Sequence, residues 1–310
     1  MNILIVGASG LIGSNLMRQL SSHGFNLYCQ SRKKQITQYN EIWIEHDLID
    51  QDWRDLDLPK IDLVYFLAGQ TSVYYADEFP SIDLSVNVLC FVRLLEYLRN
   101  FNSDTYVAYI GTATQCGISD LSLINEMVVD NPITFYDLSK LTAEKYLMQF
   151  IQQGYLKGCS FRLANVFGGS VLGQKSDRGI VDKVFKMALL GQDITIFGDG
   201  KNLRDYVYIK DVVDALVKVI GRLATTNGEV FYLSSGSSIS LLDAFQAAIN
   251  LAYEKTGNKV KLIHMPPPAG LSKIEERSVR IESKKIQTAL SWSPKYSLEK
   301  GLRDAYMGCK

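Results

Sequence analysis

Seven residues near the start of the chain, Gly7-Ala8-Ser9-Gly10-Leu11-Ile12-Gly13, restrict its fold more than any other stretch. They follow a short β-branched run at residues 3–6 and open a segment in which Leu11, Leu16 and Leu20 share one helical face. A strand that turns through three glycines into a helix has a specific use. One glycine permits the tight turn, one removes the Cβ that would obstruct a pyrophosphate, and one lets helix and strand pack closely. The helix start then presents backbone N–H groups and the positive end of its dipole to an anion. Gly7, Gly10, Leu11, Ile12 and Gly13 are therefore candidate dinucleotide contacts.

The first half of the chain keeps this rhythm. Strands are expected at residues 3–6, 26–30, 42–46, 63–67, 106–110 and 159–163. Between them lie helical patterns such as Val88, Val92, Leu95 and Leu98, or Ala143, Leu147, Phe150 and Ile151. Runs apolar on both faces, alternating with helices, predict a parallel sheet covered on each side and joined by right-handed crossovers. The fold class is α/β: a doubly wound parallel Rossmann sheet with ligands at the carboxyl ends of its strands. After about Asn165 come a glycine-rich stretch, helical patterns at 180–190, 212–222 and 241–254, the strand-like Ile194-Thr-Ile-Phe197 and prolines at 266–268. Residues 1–165, with segments near 206–225, are expected to form the dinucleotide-binding domain. Residues 166–310 are expected to form a smaller, interleaved mixed α/β lobe that binds substrate.

Composition narrows the partners. Lys+Arg and Asp+Glu balance at 33 each across 310 residues, which gives no electrostatic footprint for nucleic acid or an anionic surface. No apolar run approaches the ~20 residues of a membrane span, and the N-terminus lacks the basic start and processing site of a signal peptide. Cys29, Cys90, Cys116, Cys159 and Cys309 are scattered without a CxxC pair, and His23, His46 and His264 lie far apart. Free thiols in a cytoplasmic protein with no metal site are expected.

The second strand leads into Gln30-Ser31-Arg32-Lys33-Lys34. An acidic residue there would hold the adenosine ribose hydroxyls and repel a 2′-phosphate. A hydroxyl followed by cations suits that phosphate instead, through charge-assisted bonds, so Ser31, Arg32 and Lys33 favour NADP over NAD. Asp47 and Leu48, after the third strand, are candidates for the adenine edge.

Tyr136-Asp-Leu-Ser-Lys140 opens a helical pattern, which sets phenol and ammonium on one face. A free tyrosine, with a pKa of about 10, is a poor proton carrier at neutral pH. A neighbouring ammonium and a positive nicotinamide ring favour the phenolate, and the ammonium is suited to hold ribose hydroxyls. The fifth strand leads into Gly111-Thr112-Ala113-Thr114-Gln115-Cys116-Gly117, which sets hydroxyls at a strand tip facing the same crevice. Thr112 is the candidate to hydrogen-bond a substrate carbonyl or alkoxide, with Thr114 in support.

Taken in order, GASGLIG, FLAGQTSV, Asn87-Val88, GTATQCG, YDLSK, FRLANVFG, GDGKNLRDYVYIKDVVDA and a terminal LSWSP segment resemble the extended short-chain dehydrogenase/reductases of the nucleotide-sugar epimerase/dehydratase family. The resemblance covers nearly the whole chain. It implies a Rossmann lobe that binds NAD(P), with Leu67, Ala68 and Gly69 among its contacts, and a second lobe that binds a nucleoside-diphosphate sugar. It implies a catalytic set of Thr112, Tyr136 and Lys140. Asn165, Arg204 and, across a gap, Arg277 resemble the groups that meet the substrate diphosphate, which a guanidinium clamps bidentately. A homodimer paired through helices at 79–101 and 137–151 is implied as well.

Departures from the family narrow the reaction. Members that remove water across C5 and C6 of the sugar carry Asp-Glu directly after the threonine, where this chain has Ala113 and Thr114. Members that epimerise C3 and C5 carry a cysteine where Thr114 stands, and Cys116 is two residues away, which suits packing. Thr-Ala-Thr is similar to the Ser-Ala-Thr of 4-epimerases, whereas the basic end of the second strand suits a reductase that exchanges NADPH. The sequence puts a 4-keto sugar reductase first and a 4-epimerase second, ahead of a 4,6-dehydratase or a non-catalytic NADP-binding sensor. In the reductive direction Tyr136 delivers the proton, Thr112 stabilises the developing alkoxide and Lys140 biases the tyrosine. The 168–179 loop and the 273–280 stretch are expected to shape the sugar pocket.

Overall fold

The computed structural model describes residues 1–35, 39–118, 123–169 and 179–307. Strands β1 (Asn2–Val6), β2 (Asn26–Ser31), β3 (Ile42–Glu45), β4 (Leu63–Phe66), β5 (Tyr106–Thr112) and β6 (Lys157–Leu163) all run parallel. Ile3 to Val6 in β1 and Leu63, Val64 and Tyr65 in β4 have no exposed surface. Side chains on both faces of such a sheet need cover from both sides. Helices α1 (Leu11–Leu20), α2 (Val73–Glu78), α3 (Pro80–Leu84), α4 (Cys90–Phe101) and α5 (Phe135–Gln152) lie among these strands in the chain. Ile3 and Ile5 join one core cluster with Leu16, Met17 and Leu20 of α1. Leu4 and Val6 join the other with Phe91, Leu94, Leu95 and Leu98 of α4. The two-residue period of the pleat thus divides one short strand between two cores.

The chain continues through β7 (Asn165–Phe167), α6 (Ile180–Leu189), β8 (Ile194–Phe197), β9 (Leu203–Tyr208), α7 (Ile209–Val219), α8 (Leu223–Thr226), β10 (Val230–Leu233), β11 (Ser238–Ser240), α9 (Leu241–Thr256), β12 (Leu262–Met265), α10 (Lys284–Leu290) and α11 (Leu298–Met307). Strand β10 returns beside β6, which gives seven strands in the order β10-β6-β5-β4-β1-β2-β3. Chain order reverses at β1, so the carboxyl ends of β1 and β4 flank the switch point where such sheets bind ligands. This is the Rossmann sheet the sequence predicts. Helix α7 also returns to it, since Tyr65 Oη donates to the Leu216 carbonyl at 2.7 Å. The remaining strands form two small sheets, β11-β9-β7 and β12-β8.

Two local details differ from the expected patterns. The helix expected at 212–222 begins at Ile209 and passes into a 3₁₀ turn at Ile220–Arg222. Between α3 and α4 the helix widens into a π turn over Ser85–Leu89, a distortion that often marks functional positions. Among the described residues no helix is long and apolar enough to cross a membrane, and no group of His, Cys, Asp and Glu side chains is arranged to hold a metal ion. Cys29, Cys90, Cys116 and Cys159 are free and buried, while Cys309 lies outside the described residues.

Candidate active site

The turn after β1 is held by neighbouring strand tips. Gly7 has φ +84, and a Cβ there would stand 2.7 Å from the Ala68 nitrogen just beyond β4, so only glycine fits. The Gly7 N–H donates to the carbonyl and to Oε1 of Gln30, the latter at 3.0 Å, while Gln30 Nε2 donates to the His46 carbonyl at 2.5 Å. Gln30 thereby ties the ends of β1, β2 and β3 together, a role the sequence reading missed. Its signal was a lone amide at a strand tip. Helix α1 follows Gly10 with no side-chain cap, so the N–H groups of Leu11, Ile12 and Gly13 have no partner within the helix. These are the residues expected to meet a pyrophosphate.

The basic turn after β2 is partly committed. Ser31 is buried and its hydroxyl donates to the Lys33 carbonyl at 2.6 Å. Donor capacity toward a 2′-phosphate therefore lies with the exposed Arg32 and Lys33 rather than with Ser31. Past β3, Asp47 Oδ1 accepts the Ile49 N–H at 2.9 Å, and the Leu48 carbonyl accepts from Cys90 Sγ at 3.1 Å. Past β4, the Leu67 N–H donates to the Val6 carbonyl at 2.9 Å.

Helix α5 delivers the Tyr–Lys pair to the same end of the sheet. Thr134 caps it, its hydroxyl accepting the Asp137 N–H at 3.1 Å, and Tyr136 and Lys140 follow one turn apart. Tyr109 Oη donates to the Lys140 carbonyl at 3.2 Å, and the Lys140 Nζ stands 4.7 Å from the Tyr109 ring centre. Lys140 is buried, yet among the described residues its ammonium has no hydrogen-bond partner. Burial lowers its pKa from 10.5 to about 8, against the opposing pull of Asp83 and Glu144. Burial also raises Tyr136 above the usual phenol value, reinforced by Asp137 and Asp83. The downward shift is expected from the ammonium together with a nicotinamide ring; in the free chain, burial and two carboxylates set the phenol.

Gly69 places this pair relative to β4. A Cβ on Gly69 would lie 2.7 Å from Asn87 Oδ1 and 3.8 Å from Lys140 Nζ. Asn87, in the π turn, donates to Asp83 Oδ1 at 2.7 Å and to the Gln70 carbonyl at 3.1 Å, and Gln70 Nε2 donates to the same Asp83 oxygen at 2.9 Å. Asp83 Oδ2 and Asn87 Oδ1 are buried and unpaired among the described residues. Sequence reasoning did not single out Asp83, although it stands one helical turn before Asn87.

At the tip of β5, Thr112 Oγ1 lies 2.9 Å from Thr114 Oγ1, and Thr114 in turn donates to Asp137. Gln115 locks the tip, accepting the Thr112 N–H at 2.7 Å and donating to Glu144 Oε2 at 3.2 Å. Cys116 is buried with its thiol pushed up by burial, and it packs with Ile124, Tyr232 and Ile281.

The three residues expected at a diphosphate meet although they are far apart in the chain. Arg277 Nη2 is 3.5 Å from Asn165 Oδ1, and Asn165 Nδ2 donates to the Asp205 carbonyl at 3.0 Å. Arg204 is buried and donates to the carbonyls of Leu203, Glu275 and Arg277, so much of its fork is spent on the 273–277 turn. Burial, then Arg204, lowers Arg277 to about 10. Two guanidiniums near enough to repel at a partly buried site suit an anion. Within the 168–179 loop, residues 170–178 lie outside the described residues.

An open helix start over the switch point of a parallel sheet, with a Tyr–Lys pair and hydroxyls at adjoining strand tips, is the framework of a dinucleotide-dependent enzyme. Residues 3–233 match the model of the NAD dependent epimerase/dehydratase family, and the chain belongs to that family. It is 28% identical to the UDP-glucose 4-epimerase of Mycolicibacterium smegmatis over 97% of this chain and 96% of that protein. It is 24% identical to the GDP-6-deoxy-D-mannose reductase of Pseudomonas aeruginosa, covering 97% of this chain and 94% of that one. The solved structure of MoeE5 in complex with UDP-glucose and NAD is similar throughout, with a TM-score of 0.85, 25% identity and 99% of both chains covered.

Proposed function

We propose that this enzyme acts at C4 of a nucleoside-diphosphate hexose and that its reaction is 4-epimerisation. The observation that carries this reading is the first turn of α5, which carries Tyr136 and sets a Lys140 ammonium, without a hydrogen-bond partner among the described residues, over the Tyr109 ring of β5. The free N–H groups of Leu11, Ile12 and Gly13 fit a pyrophosphate, and Lys140 fits ribose hydroxyls, so these residues suit a nicotinamide dinucleotide. When bound, that group supplies reversible hydride exchange with the sugar carbon. Tyr136 exchanges the C4 hydroxyl proton, Thr112 hydrogen-bonds the C4 oxygen, and Lys140 favours the phenolate while orienting the ribose. Asn165 and Arg277 hold the diphosphate, with Arg204 bracing the turn behind them. Ala113 and Thr114 offer no carboxylate for elimination, which argues against a dehydratase. The names of the M. smegmatis relative and of the MoeE5 complex support the epimerase and NAD.

A second reading, the 4-keto sugar reductase that the sequence put first, is favoured by the exposed Arg32 and Lys33, which suit NADPH, and by the likeness to the P. aeruginosa reductase. Incubation with a panel of nucleoside-diphosphate hexoses that includes UDP-glucose separates the two. Interconversion of two sugars with no net change in added cofactor supports the epimerase. Stoichiometric consumption of NADPH by a 4-keto sugar supports the reductase, and the absence of both outcomes overturns both readings. We further propose a cytoplasmic homodimer through the helical segment 79–101 and α5, where Leu89, Leu138 and Tyr146 are exposed. The free thiols agree with a reducing compartment.

A further inference from the structure

The hydroxyls at the tip of β5 lead away from the crevice to a carboxylate. Thr112 Oγ1 stands 2.9 Å from Thr114 Oγ1, Thr114 Oγ1 donates to Asp137 Oδ1, and Thr134 Oγ1 donates to Asp137 Oδ2 at 2.7 Å. Asp137 itself has no exposed surface. Each hydroxyl owns one proton, and an ionised carboxylate only accepts. With the Thr114 proton committed to Asp137, the bond between the two threonines has a fixed direction, and Thr112 is its donor. Thr112 then faces the crevice as an acceptor alone. When Asp137 holds a proton the row reverses. Asp137 donates to Thr114, Thr114 donates to Thr112, and the Thr112 proton is free to point into the crevice.

We propose that Asp137 is a positioning residue that, acting through Thr114, switches Thr112 between acceptor and donor toward the sugar oxygen. The proposal rests on the C4 oxidation–reduction reading given above. As the C4 hydrogen leaves with its electron pair as hydride to the dinucleotide, the sugar O–H bond breaks and its electrons complete the carbonyl. The released proton passes to Thr112 Oγ1, the Thr112 proton to Thr114, and the Thr114 proton to Asp137. Reduction runs the row backward. The hydroxyl form of the sugar thus meets an acceptor and the ketone meets a donor, so no polar group in the crevice is left unsatisfied. The row carries this one proton in place of Tyr136 when the phenol is already protonated, the state that burial favours in the free chain, and Tyr136 carries it when it is phenolate. Burial most strongly favours the neutral form of Asp137, and Asp77 at the end of α2 adds to that. Arg277 opposes both, as do the bonds from Thr114 and Thr134. Tyr136 adjoins it on α5.

Infrared difference spectra of the full chain read carboxyl protonation directly, with Asp137 identified by the band lost in Asp137→Asn. Should that variant not fold, the band that moves in Thr114→Val identifies it. Thr114→Val removes a bond to the ionised carboxylate and is expected to move the Asp137 midpoint up by roughly one pH unit. Thr112→Val is expected to move it less, in the same direction, although Thr112 does not touch Asp137. An unchanged midpoint in Thr112→Val overturns the proposal. In a second arm, NAD and UDP-glucose serve as the probe. NADH absorbance growing together with the Asp137 carboxyl band supports the relay, and NADH absorbance without that band overturns it. Absence of NADH counts against the C4 reading for this sugar, and the Thr112→Val arm still decides the relay.

Discussion

Arg162 Nη2 stands 2.6 Å from Glu144 Oε1, and the Glu144 side chain is fully buried one helical turn beyond Lys140. The same guanidinium bonds Asp130 through both terminal nitrogens, at 2.6 and 2.9 Å, and Glu144 also receives Ser160 Oγ at 2.7 Å and Gln115 Nε2 at 3.2 Å. One ion pair therefore joins β6, α5 and the tip of β5 that carries Thr112.

Breaking that pair on one side leaves an uncompensated buried charge. Arg162→Met is expected to destabilise the fold by about 3–5 kcal/mol. Arg162→Met combined with Glu144→Gln should recover part of the loss, since no charge is then left alone. Urea denaturation of the single and double variants checks this, and a strictly additive double variant would mean that the two side chains act independently.

Lys140 couples function to stability with a definite sign. Its folded pKa of about 8 lies below its ordinary 10.5, so the desolvation penalty is complete below pH 8 and has vanished above 10.5. Lys140→Met is expected to raise stability near neutral pH by up to about 3 kcal/mol while abolishing turnover. Its advantage should fade as the pH rises through that window. Equal gains at pH 7 and above pH 10 would exclude the buried cation as the cause.

Tyr136 is held protonated in the free chain by burial and by Asp137 and Asp83. Ultraviolet difference titration of the natural chain against Tyr136→Phe is expected to find its phenolate only above pH 10. Addition of NAD, whose positive ring favours the phenolate, should bring the midpoint down by a unit or more. A midpoint indifferent to NAD would remove Tyr136 from the neighbourhood of the nicotinamide.

Arg32 and Lys33 carry the proposed choice between dinucleotides. Replacing both by alanine is expected to weaken NADP binding by about 10- to 100-fold, the worth of one or two charge-assisted bonds to phosphate, and to change NAD binding less than threefold. Calorimetric titration with each dinucleotide measures this. Equal losses for both would assign these cations to general attraction, and no loss would leave the turn a solvated surface.

Much of the site could be read along the chain because its signals are local. The glycines before α1, the four-residue step from Tyr136 to Lys140 and the hydroxyls ending β5 are each short patterns tied to one element. Asp137 could not be found in this way. As a sequence it is one acidic residue in the first turn of a helix, a place where carboxylates are usually solvated. Only the approach of α5 to the end of β5 buries it against Thr114. Gln30 was likewise read for the acid it replaced, whereas its amide spans two strand ends.

The amino-acid order alone determined the alternation of strand and helix, the doubly wound class and the end of the sheet at which chemistry gathers. Apolar periodicity and glycine geometry are properties of neighbouring residues, so they survive without knowledge of the rest of the chain. Tertiary structure decided which polar groups meet: Arg277 with Asn165 across 112 residues, Arg162 with Glu144, and Thr112 with Asp137 through Thr114. It also decided that burial raises Tyr136 and lowers Lys140. Those outcomes depend on distances and desolvation set by remote segments, and the same side chains would carry ordinary pKa values if the strands that enclose them were packed elsewhere.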